Sequence, residues 1–559
     1  MTLLAELTVK QVGYLGLPKF GAEWRDRSEG IIWQDTTDVK WAGGASTDDS
    51  GVGLGVLYLS LMGFLGDHYW DEYIAAFTPP QYSLAKSYGG WAKATFGTLE
   101  LSPAALDDTD LWPPPISFMV AFYYTGSTEG ARERLFTGTA HIESFNQDKI
   151  IYTLYGEEFT TDLLLEGTDY DSNTVLLPRA FGTIEYQVPI RLADVGGAPT
   201  YHKAYIPGIN TAKPITGFTN LGGGEIKAHC TGHGFSTSDN ITIEGAFGST
   251  ADAESFDYNG TYVITRLDDN QFKFTKTWID PGVAIEIIGQ AYDADNKANY
   301  ILVYDDGVPI PENVTDNGNG TFSLSAMPVG EVTISGIGED TTLAGITEWA
   351  CGADRLNRTY DGTNARSPSP SINYWATSQQ VLIEFLSDLA STHTHLFYID
   401  TDTLVLHLID MEADNGSRTL GEFDDYEVSI DYEPPLSEII CEWKKRFPVN
   451  ETIGRYVKEK DYKSQIAGYT YGESWNLTPY HDVDSEVYTA ISNIFTNIHK
   501  PRIRVAMPLV GDLPVPGESI TLTNVTTVRD LTITFRCRHL TYDFESNEIK
   551  VEGEGSISA

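Results

Sequence analysis

Between residues 91 and 101 the chain alternates Trp91, Lys93, Thr95, Gly97 and Leu99 with Ala92, Ala94, Phe96, Thr98 and Glu100. A period of two puts successive side chains on opposite faces of a pleat, so the stretch predicts a strand. Ile116, Phe118, Val120, Phe122 and Tyr124 alternate in the same way with Ser117, Met119, Ala121 and Tyr123. Trp112-Pro113-Pro114-Pro115 precedes them and cannot sit inside a sheet, because proline donates no ladder hydrogen bond. Residues 135–145 and 150–155 flank Asn146-Gln147-Asp148-Lys149, which predicts a hairpin turning at those four residues. Residues 81–200 therefore predict a small antiparallel barrel or sandwich. Residues 1–80, rich in Gly and Trp, carry few periodic runs, and their fold is left unassigned. The apolar stretch 51–65 within them suits a docking surface, a buried strand or a helix start.

The punctuation changes near residue 217. Gly222-Gly223-Gly224, Thr231-Gly232-His233-Gly234 and Asn259-Gly260 separate short runs at 241–245, 261–265 and 272–275, and Asp268-Asp269-Asn270 makes the last turn. This predicts a self-contained β module over 215–280. A second module is expected over 285–340, where Tyr300, Leu302 and Tyr304 lead into Asp305-Asp306-Gly307 and Val332 and Ile334 close the unit. Both read as insertions. Helical spacing comes later, in Val381, Leu382, Phe385, Leu386 and Leu389. Apolar runs at 396–399 and 404–409 then flank Asp400-Thr401-Asp402-Thr403, so 346–425 predicts a small α/β domain. Val487, Ile491, Ile494, Phe495 and Ile498 form one stripe over 484–500, stopped by Pro501. That helix is expected to belong to or pack on the α/β domain. Strands at 502–506, 519–523, 531–537 and 548–553 make 426–559 a second barrel. The fold class is mainly β and multidomain.

Composition agrees with that class. The chain has 559 residues, room for about three to five domains, and 31 Tyr, 24 Phe and 52 Gly against 6 Met favour strands and turns. Lys and Arg number 37 against 79 Asp and Glu, a formal net charge of -42. Such a field repels phosphate and anionic lipid, which excludes a nucleic-acid grip. The first residues, Met1 to Leu7, show no basic leader and include Glu6, so no secretory signal is expected and synthesis should be cytoplasmic. No run reaches the roughly 18 apolar residues that span a bilayer, so no membrane insertion is expected. Cys230, Cys351, Cys441 and Cys537 lie far apart and are expected as reduced core residues.

Candidate chemistry is sparse. His229-Cys230-Thr231-Gly232-His233 offers two His and one Cys in a Gly-rich turn, short of the three or four converging ligands a metal needs. Asp67-His68-Tyr69-Trp70-Asp71-Glu72-Tyr73 sets carboxylates beside aromatic rings as a sugar site would, but chance supplies such a stretch in so acidic a chain. Asp293-Ala294-Asp295-Asn296 begins like a calcium loop and lacks the later Gly and terminal Glu. No phosphate-binding loop, nucleophile elbow or H-E-x-x-H occurs. No catalytic, cofactor-binding or metal residue is assigned, and a non-enzymatic role in assembly or binding is expected. Phe235, Phe247 and Tyr258 are read as aromatic residues exposed on the first insert.

Three stretches bear a family likeness. Tyr88-Gly89-Gly90-Trp91 through Gly97-Thr98-Leu99-Glu100-Leu101-Ser102-Pro103 to Trp112-Pro113-Pro114-Pro115, ending in Leu135-Phe136-Thr137-Gly138-Thr139-Ala140, resembles the N-terminal region of tail-tip proteins of long-tailed bacteriophages. The helix and hairpin at 379–411, with Phe397-Tyr398-Ile399-Asp400 and Leu404-Val405-Leu406, is similar to the middle domain of baseplate hubs. Pro501-Arg502-Ile503-Arg504-Val505-Ala506-Met507-Pro508, followed by Gly517-Glu518-Ser519-Ile520, looks like a hub's second barrel. The run from Thr231-Gly232-His233-Gly234-Phe235 to Asp269-Asn270-Gln271-Phe272 resembles a small β-barrel module that recurs in virion proteins. The resemblance implies a structural tail-tip or baseplate hub with two hub-type barrels, at 81–200 and 426–559. It also implies a homotrimer joining the sixfold tail tube to threefold tip components, which places it in the virion tail. Its neighbours would be a distal tail or tail-tube protein, a tape-measure protein and tip spike or fibre proteins, with DNA met only in passage. Part of the acid excess is then expected to line the ejection channel, with Asp424 and Asp425 as the candidates. The alternative is a host-surface carbohydrate-binding or hydrolysing tail protein, an adhesin or depolymerase.

Overall fold

In the computed structural model the strands Glu133–Phe145 and Ile150–Gly156 pair across the four residues expected as their turn. The Asn146 carboxamide oxygen accepts the Asp148 and Lys149 amides at 2.8 and 3.0 Å, which closes the loop locally. The structure describes strands within residues 1–80 and, with short gaps, residues 81–102, 116–156, 179–247, 258–278, 288–420, 427–459, 473–477 and 484–558. The hairpin lies within a seven-stranded antiparallel sheet ordered Leu54–Ser60, Thr2–Lys10, Ser117–Thr125, Glu133–Phe145, Ile150–Gly156, Thr98–Leu101 and Ile74–Phe77. Leu99, Leu101, Ile150 and Tyr152 are fully buried in it. Strands from residues 1–80 thus share a sheet with 98–156, and the sheets do not divide at residue 80. Alternation fixes which way a side chain points; the choice of partner strand is made by long-range packing.

The same reason splits the 91–101 run. Gly89–Thr95 pairs with Gln81–Lys86 and, in parallel, with His395–Ile399, whereas Thr98–Leu101 joins the seven-stranded sheet. Only Phe96 and Gly97 separate the two. Gly89 and Gly90 take φ of +142° and +105°, and a Cβ on them would lie 2.4 Å from the His395 carbonyl oxygen and 2.9 Å from Ser387 Oγ. The hairpin 81–95 is therefore pressed against the α/β unit, and the Trp91 amide donates to Ser387 Oγ at 3.0 Å. On its other side Leu540 pairs with Tyr82. A twelve-stranded sheet results, and it encloses one core that includes Tyr82, Ala92, Leu396, Val505, Ile520, Phe535, Leu540 and Val551. Residues 81–95, expected in the first barrel, complete the C-terminal one.

Residues 179–202 also leave the first barrel. Arg179–Gln187 pairs with Val332–Ile337 and Asn373–Ala376, and Ala198–His202 pairs with Thr321–Leu324. Ile184, Tyr201, Ile301, Val303, Phe322 and Ile334 form their shared core. The segment expected as a separate second insert is thus half of a sandwich, because its apolar strand faces are covered by 179–202. The first module is inserted into that sandwich. Its strands run from Lys213 to Asp293, its ends pair at Lys213 with Ala291 and at Ile215 with Gly289, and two four-stranded sheets cover a core with Ile226, Ile241, Phe272 and Phe274. At its base Tyr292 and Tyr304 Oη donate to the Glu244 carboxylate at 2.6 and 2.9 Å. Burial and that carboxylate push both phenols up, so they remain donors at any ordinary pH.

Because the module's ends meet, replacing residues 216–288 with a short Gly-rich bridge, together with Tyr304→Phe, is expected to leave a soluble chain with the remaining strand content by circular dichroism. Insolubility of that deletion would make the module part of the carrier's fold.

Three α-helices are found among the described residues. Helix α1 (Leu343–Ala350) is capped by Thr342, whose hydroxyl accepts the Gly345 amide at 3.1 Å. Helix α2 (Leu382–Thr392) buries Leu382, Phe385, Leu386 and Leu389 against Phe181 and Phe397. Helix α3 (Asp484–Ile498) buries Val487, Ile491, Ile494 and Phe495, but it packs on Leu436–Arg446, Glu451–Glu459 and Glu548–Ser558 of the C-terminal part. Toward the α/β domain on which it was expected to sit, its Glu486 accepts the Ser371 amide at 3.1 Å. The Arg179 guanidinium lies 3.9 Å over the Tyr205 ring and 4.8 Å over Trp349 and pairs with Glu339, tying the sandwich to α1. Among the described residues no helix is long and apolar enough to cross a membrane.

Candidate functional site

Four neighbouring antiparallel strands, Glu427–Asp431, Arg502–Pro508, Glu548–Ser558 and His539–Asp543, make a polar surface groove. Their alternation sends Ile503, Val505, Leu540, Ile549 and Val551 into the barrel core, each at most 2% exposed. The intervening residues face outward. Register sets Glu427, Ala506, Lys550 and Thr541 in one row and Ser429, Arg504, Glu552 and His539 in the next. Ser429, Ala506 and Thr541 are short and keep the floor low between long charged neighbours, which leaves a groove of about 370 Å³.

The charges on this face are compensated. Arg504 Nε lies 2.8 Å from Glu552, Arg504 also pairs with Asp431, and Arg502 pairs with Glu552. At the buried edge Arg538 Nε stands 2.6 Å from Glu554, with side chains 4% and 9% exposed. The more exposed pairs that Arg504 makes contribute only about 0–1 kcal/mol each. Their larger effect is to cancel the field locally in a chain whose net charge is -42. Asp424 and Asp425, the candidate channel acids, lie just before this face and outside the described residues.

The insert residues fall elsewhere than expected. Phe235 and Tyr258 are 4% and 2% exposed and belong to the module's core. Two small sheets enclose little volume, so large rings are needed to fill it: Tyr258 packs on Phe218, Phe274 and Trp278, and Phe235 on Phe272. Phe247 lies in the strand Asn240–Phe247, and its side chain is outside the described residues. Among the described residues, the large apolar side chains the module exposes are Leu221, Val263 and Leu267, at 44%, 65% and 45%. The four residues of the edge strand Thr265–Asp268 are all exposed, a pattern that alternation in so short a segment does not announce.

The other candidate chemistry resolves into turns. His229 Nε2 is 2.9 Å from Thr219 Oγ1, while His233 Nδ1 accepts the Phe235 amide and its Nε2 meets the Asp268 carbonyl. Burial pushes the Cys230 thiol up to about 12. Asp293 accepts the Asp295 amide and the Asn296 side chain at 3.0 and 2.7 Å, ligating its own turn. Among the described residues no group of three or more His, Cys, Asp or Glu is placed to hold a metal ion. The 67–73 stretch is described only as the short strand His68–Tyr69.

Sequence reasoning missed a buried polar cluster. Arg366 holds Asp410 through two nitrogens at 2.7 and 3.0 Å and Thr394 Oγ1 at 3.0 Å, and its amide donates to His395 Nε2 at 3.3 Å. His395 Nδ1 in turn donates to the His393 carbonyl at 2.8 Å. Burial lowers the His395 imidazole to about 4, and the Arg366 hydrogen bonds hold Asp410 below the usual carboxylate range against its own burial. The cluster braces the end of α2. The run Thr392-His393-Thr394-His395 is its visible signal in the sequence.

No family model matches the chain. No curated protein matches it by sequence. Among solved structures it is similar to a 43 kDa tail protein of prophage MuSo2 from Shewanella oneidensis, at 8% identity and a TM-score of 0.35, over 88% of this chain and 94% of that one. It is similar to a tail protein from Neisseria meningitidis MC58 at 9% identity and a TM-score of 0.27, over 66% of this chain and 97% of that one. It is also similar to the prophage tail protein gp18 from Listeria monocytogenes EGD-e, at 8% identity and a TM-score of 0.26, over 61% of this chain and 94% of that one.

Proposed function

We propose that the chain is a non-enzymatic structural protein of a bacteriophage tail tip, the hub that joins a sixfold tail tube to threefold tip components as a homotrimer. One observation carries the reading. A seven-stranded sheet built from residues 2–156 and a barrel built mainly from residues 395–558 are joined through the hairpin 81–95, whose strand Gly89–Thr95 completes the barrel two residues before Thr98–Leu101 enters the other sheet. A chain that carries two β units at its ends gives six from three copies, which is what a match between threefold and sixfold symmetry requires. The sandwich and its inserted module then branch from the ring as decorations. DNA only passes, and Asp424 and Asp425 would face the bore. An acidic lining repels the phosphates, although salt near physiological strength limits that repulsion to about 8 Å.

Light scattering on the purified chain and class-averaged projections of isolated tail tips test the proposal. Three 61.7 kDa chains per particle, in solution or after docking, is the expected result. A single copy in both settings would remove the hub assignment.

A further inference from the structure

One turn of the sandwich, Asp316-Asn317-Gly318-Asn319-Gly320, leads into the strand Thr321–Leu324 and holds two of the chain's four Asn-Gly pairs. Asn259-Gly260 lies in the inserted module, and Asn415-Gly416 lies outside the described residues. The carboxamide of an Asn can be attacked by the backbone nitrogen of the next residue, most readily when that residue is glycine and puts no side chain in the way. The fold decides which pair is open to this reaction. At Asn317 the attacking nitrogen is engaged: the Gly318 amide donates to the Asp316 carboxylate at 3.2 Å, while the Asn317 carboxamide donates to Thr321 Oγ1 and Ser323 Oγ, each at 2.9 Å. At Asn259 the carboxamide oxygen accepts the Ala246 amide at 2.9 Å, and Gly260 stands opposite Ile243 in a sheet, so it cannot turn onto the side chain without unpairing its strand. At Asn319 neither restraint holds. The residue is exposed, Gly320 precedes its strand, and among the described residues no acceptor takes the Gly320 amide. The Thr321 hydroxyl donates to Asn319 Oδ1 at 2.6 Å, the oxygen on which negative charge gathers when the carboxamide carbon is attacked.

We propose that Asn319 is a modification site, deamidating spontaneously in the folded protein ahead of Asn317 and Asn259. The Gly320 nitrogen gives up its proton to water and bonds to Asn319 Cγ. The Cγ–Nδ2 bond breaks, the departing nitrogen takes a proton and leaves as ammonia, and a cyclic succinimide remains. Water then opens the ring at either carbonyl, giving aspartate or isoaspartate, so the balance is one water taken up and one ammonia released. The turn treats the two products differently. Aspartate keeps an oxygen for the Thr321 hydroxyl and adds one negative charge at an exposed position. Isoaspartate lengthens the backbone by one carbon between Asn319 and Gly320, where the Gly320 carbonyl accepts the Lys203 amide at 2.9 Å and the Thr321 carbonyl accepts the Asn317 amide at 3.0 Å. Lys203 is itself buried, with Nζ 3.1 Å from Asp316 Oδ1, so the longer turn works against a fixed point.

Peptide mapping by mass spectrometry tests the proposal on the full chain, aged in mildly alkaline buffer with and without guanidinium chloride. In the folded chain the gain of about 1 Da that marks NH2 replaced by OH is expected at Asn319 several-fold ahead of Asn317 and Asn259. In the denaturant the three pairs are expected to convert at comparable rates, because the restraints that separate them belong to the fold. Asn319→Gln, at an exposed position, is expected to remove the leading gain, and Asn319→Asp to keep the parent's thermal midpoint. The proposal is overturned if Asn317 or Asn259 leads in the folded chain, if the same order appears in denaturant, or if the folded chain gains nothing at Asn319 while the denatured chain converts. A lowered midpoint for Asn319→Asp overturns the tolerance assigned to aspartate.

Discussion

Gly553→Ala is expected to destabilise the C-terminal barrel by about 3 kcal/mol or more, among the largest effects of any single methyl in this chain. A Cβ at 553 would fall 1.5 Å from the Arg536 carbonyl oxygen, and one at Gly555 would fall 2.3 Å from that of Thr534. Both lie in the C-terminal strand Glu548–Ser558, where it changes partners. Up to Glu554 it pairs with Arg502–Pro508, and from Gly555 onward with Leu531–Arg536. The crossing brings two backbones closer than any side chain allows, so relief requires moving one strand off the core that holds Phe535 and Val551. Calorimetry of the full chain should show the transition of this domain lowered, with Gly555→Ala intermediate. An unchanged transition for Gly553→Ala would mean that the strand crossing is looser than its geometry implies.

Acid is expected to destabilise the protein through two buried histidines, over the window from pH 6.5 to about 4. His395 and His202 are buried, and each has its imidazole lowered from 6.5 to about 4, in both cases chiefly by burial and for His202 also by Arg179 and Lys203. The hydrogen bonds fix both rings as neutral: His395 Nε2 accepts the Arg366 amide and His202 Nδ1 accepts the Ala204 amide. In the unfolded chain these rings take up protons near pH 6.5, and in the folded chain only near 4. The unfolded state therefore binds more protons across that interval, so stability is full above pH 6.5 and falls as the pH drops through it. At about 1.4 kcal/mol for each tenfold change in proton affinity, each ring contributes on the order of 3 kcal/mol. Unfolding midpoints in urea at pH 7.5 and 4.5 check this, and His395→Gln should flatten the profile. Equal midpoints at the two pH values would show that the rings take up protons as readily in the folded protein as in the unfolded one.

What the sequence disclosed follows from the range of the forces involved. The 133–156 hairpin, α2 and α3 were legible because turn chemistry and a helical stripe act within a few residues. Helix α1 was not read from the sequence: Leu343, Ile346 and Ala350 stand at helical spacing behind the Thr342 cap, but only eight residues carry the pattern. The partners of 81–95 and 179–202 were not legible, since an alternating strand carries no mark of which distant strand will cover it. The site divides in the same way. Outward placement of Arg504, Lys550 and Glu552 follows from alternation, whereas the groove exists only because Ser429, Ala506 and Thr541 come together from three strands. The aromatic residues misled for a definite reason: in a small module rings are needed as core before any are spared for binding.

The hairpin 81–95 has a consequence for how the chain is made. Its outer neighbour is the strand His539–Asp543, so Tyr82 waits for Leu540 until residue 540 has left the ribosome. At about 5–20 residues per second the wait is roughly 20 to 90 s. Throughout that time the nascent chain carries an unpaired strand edge, the kind of surface on which other chains add. A ribosome that stalls between the two strands therefore leaves more than a truncated product: it leaves a template for aggregation, which the strand His539–Asp543 would have capped.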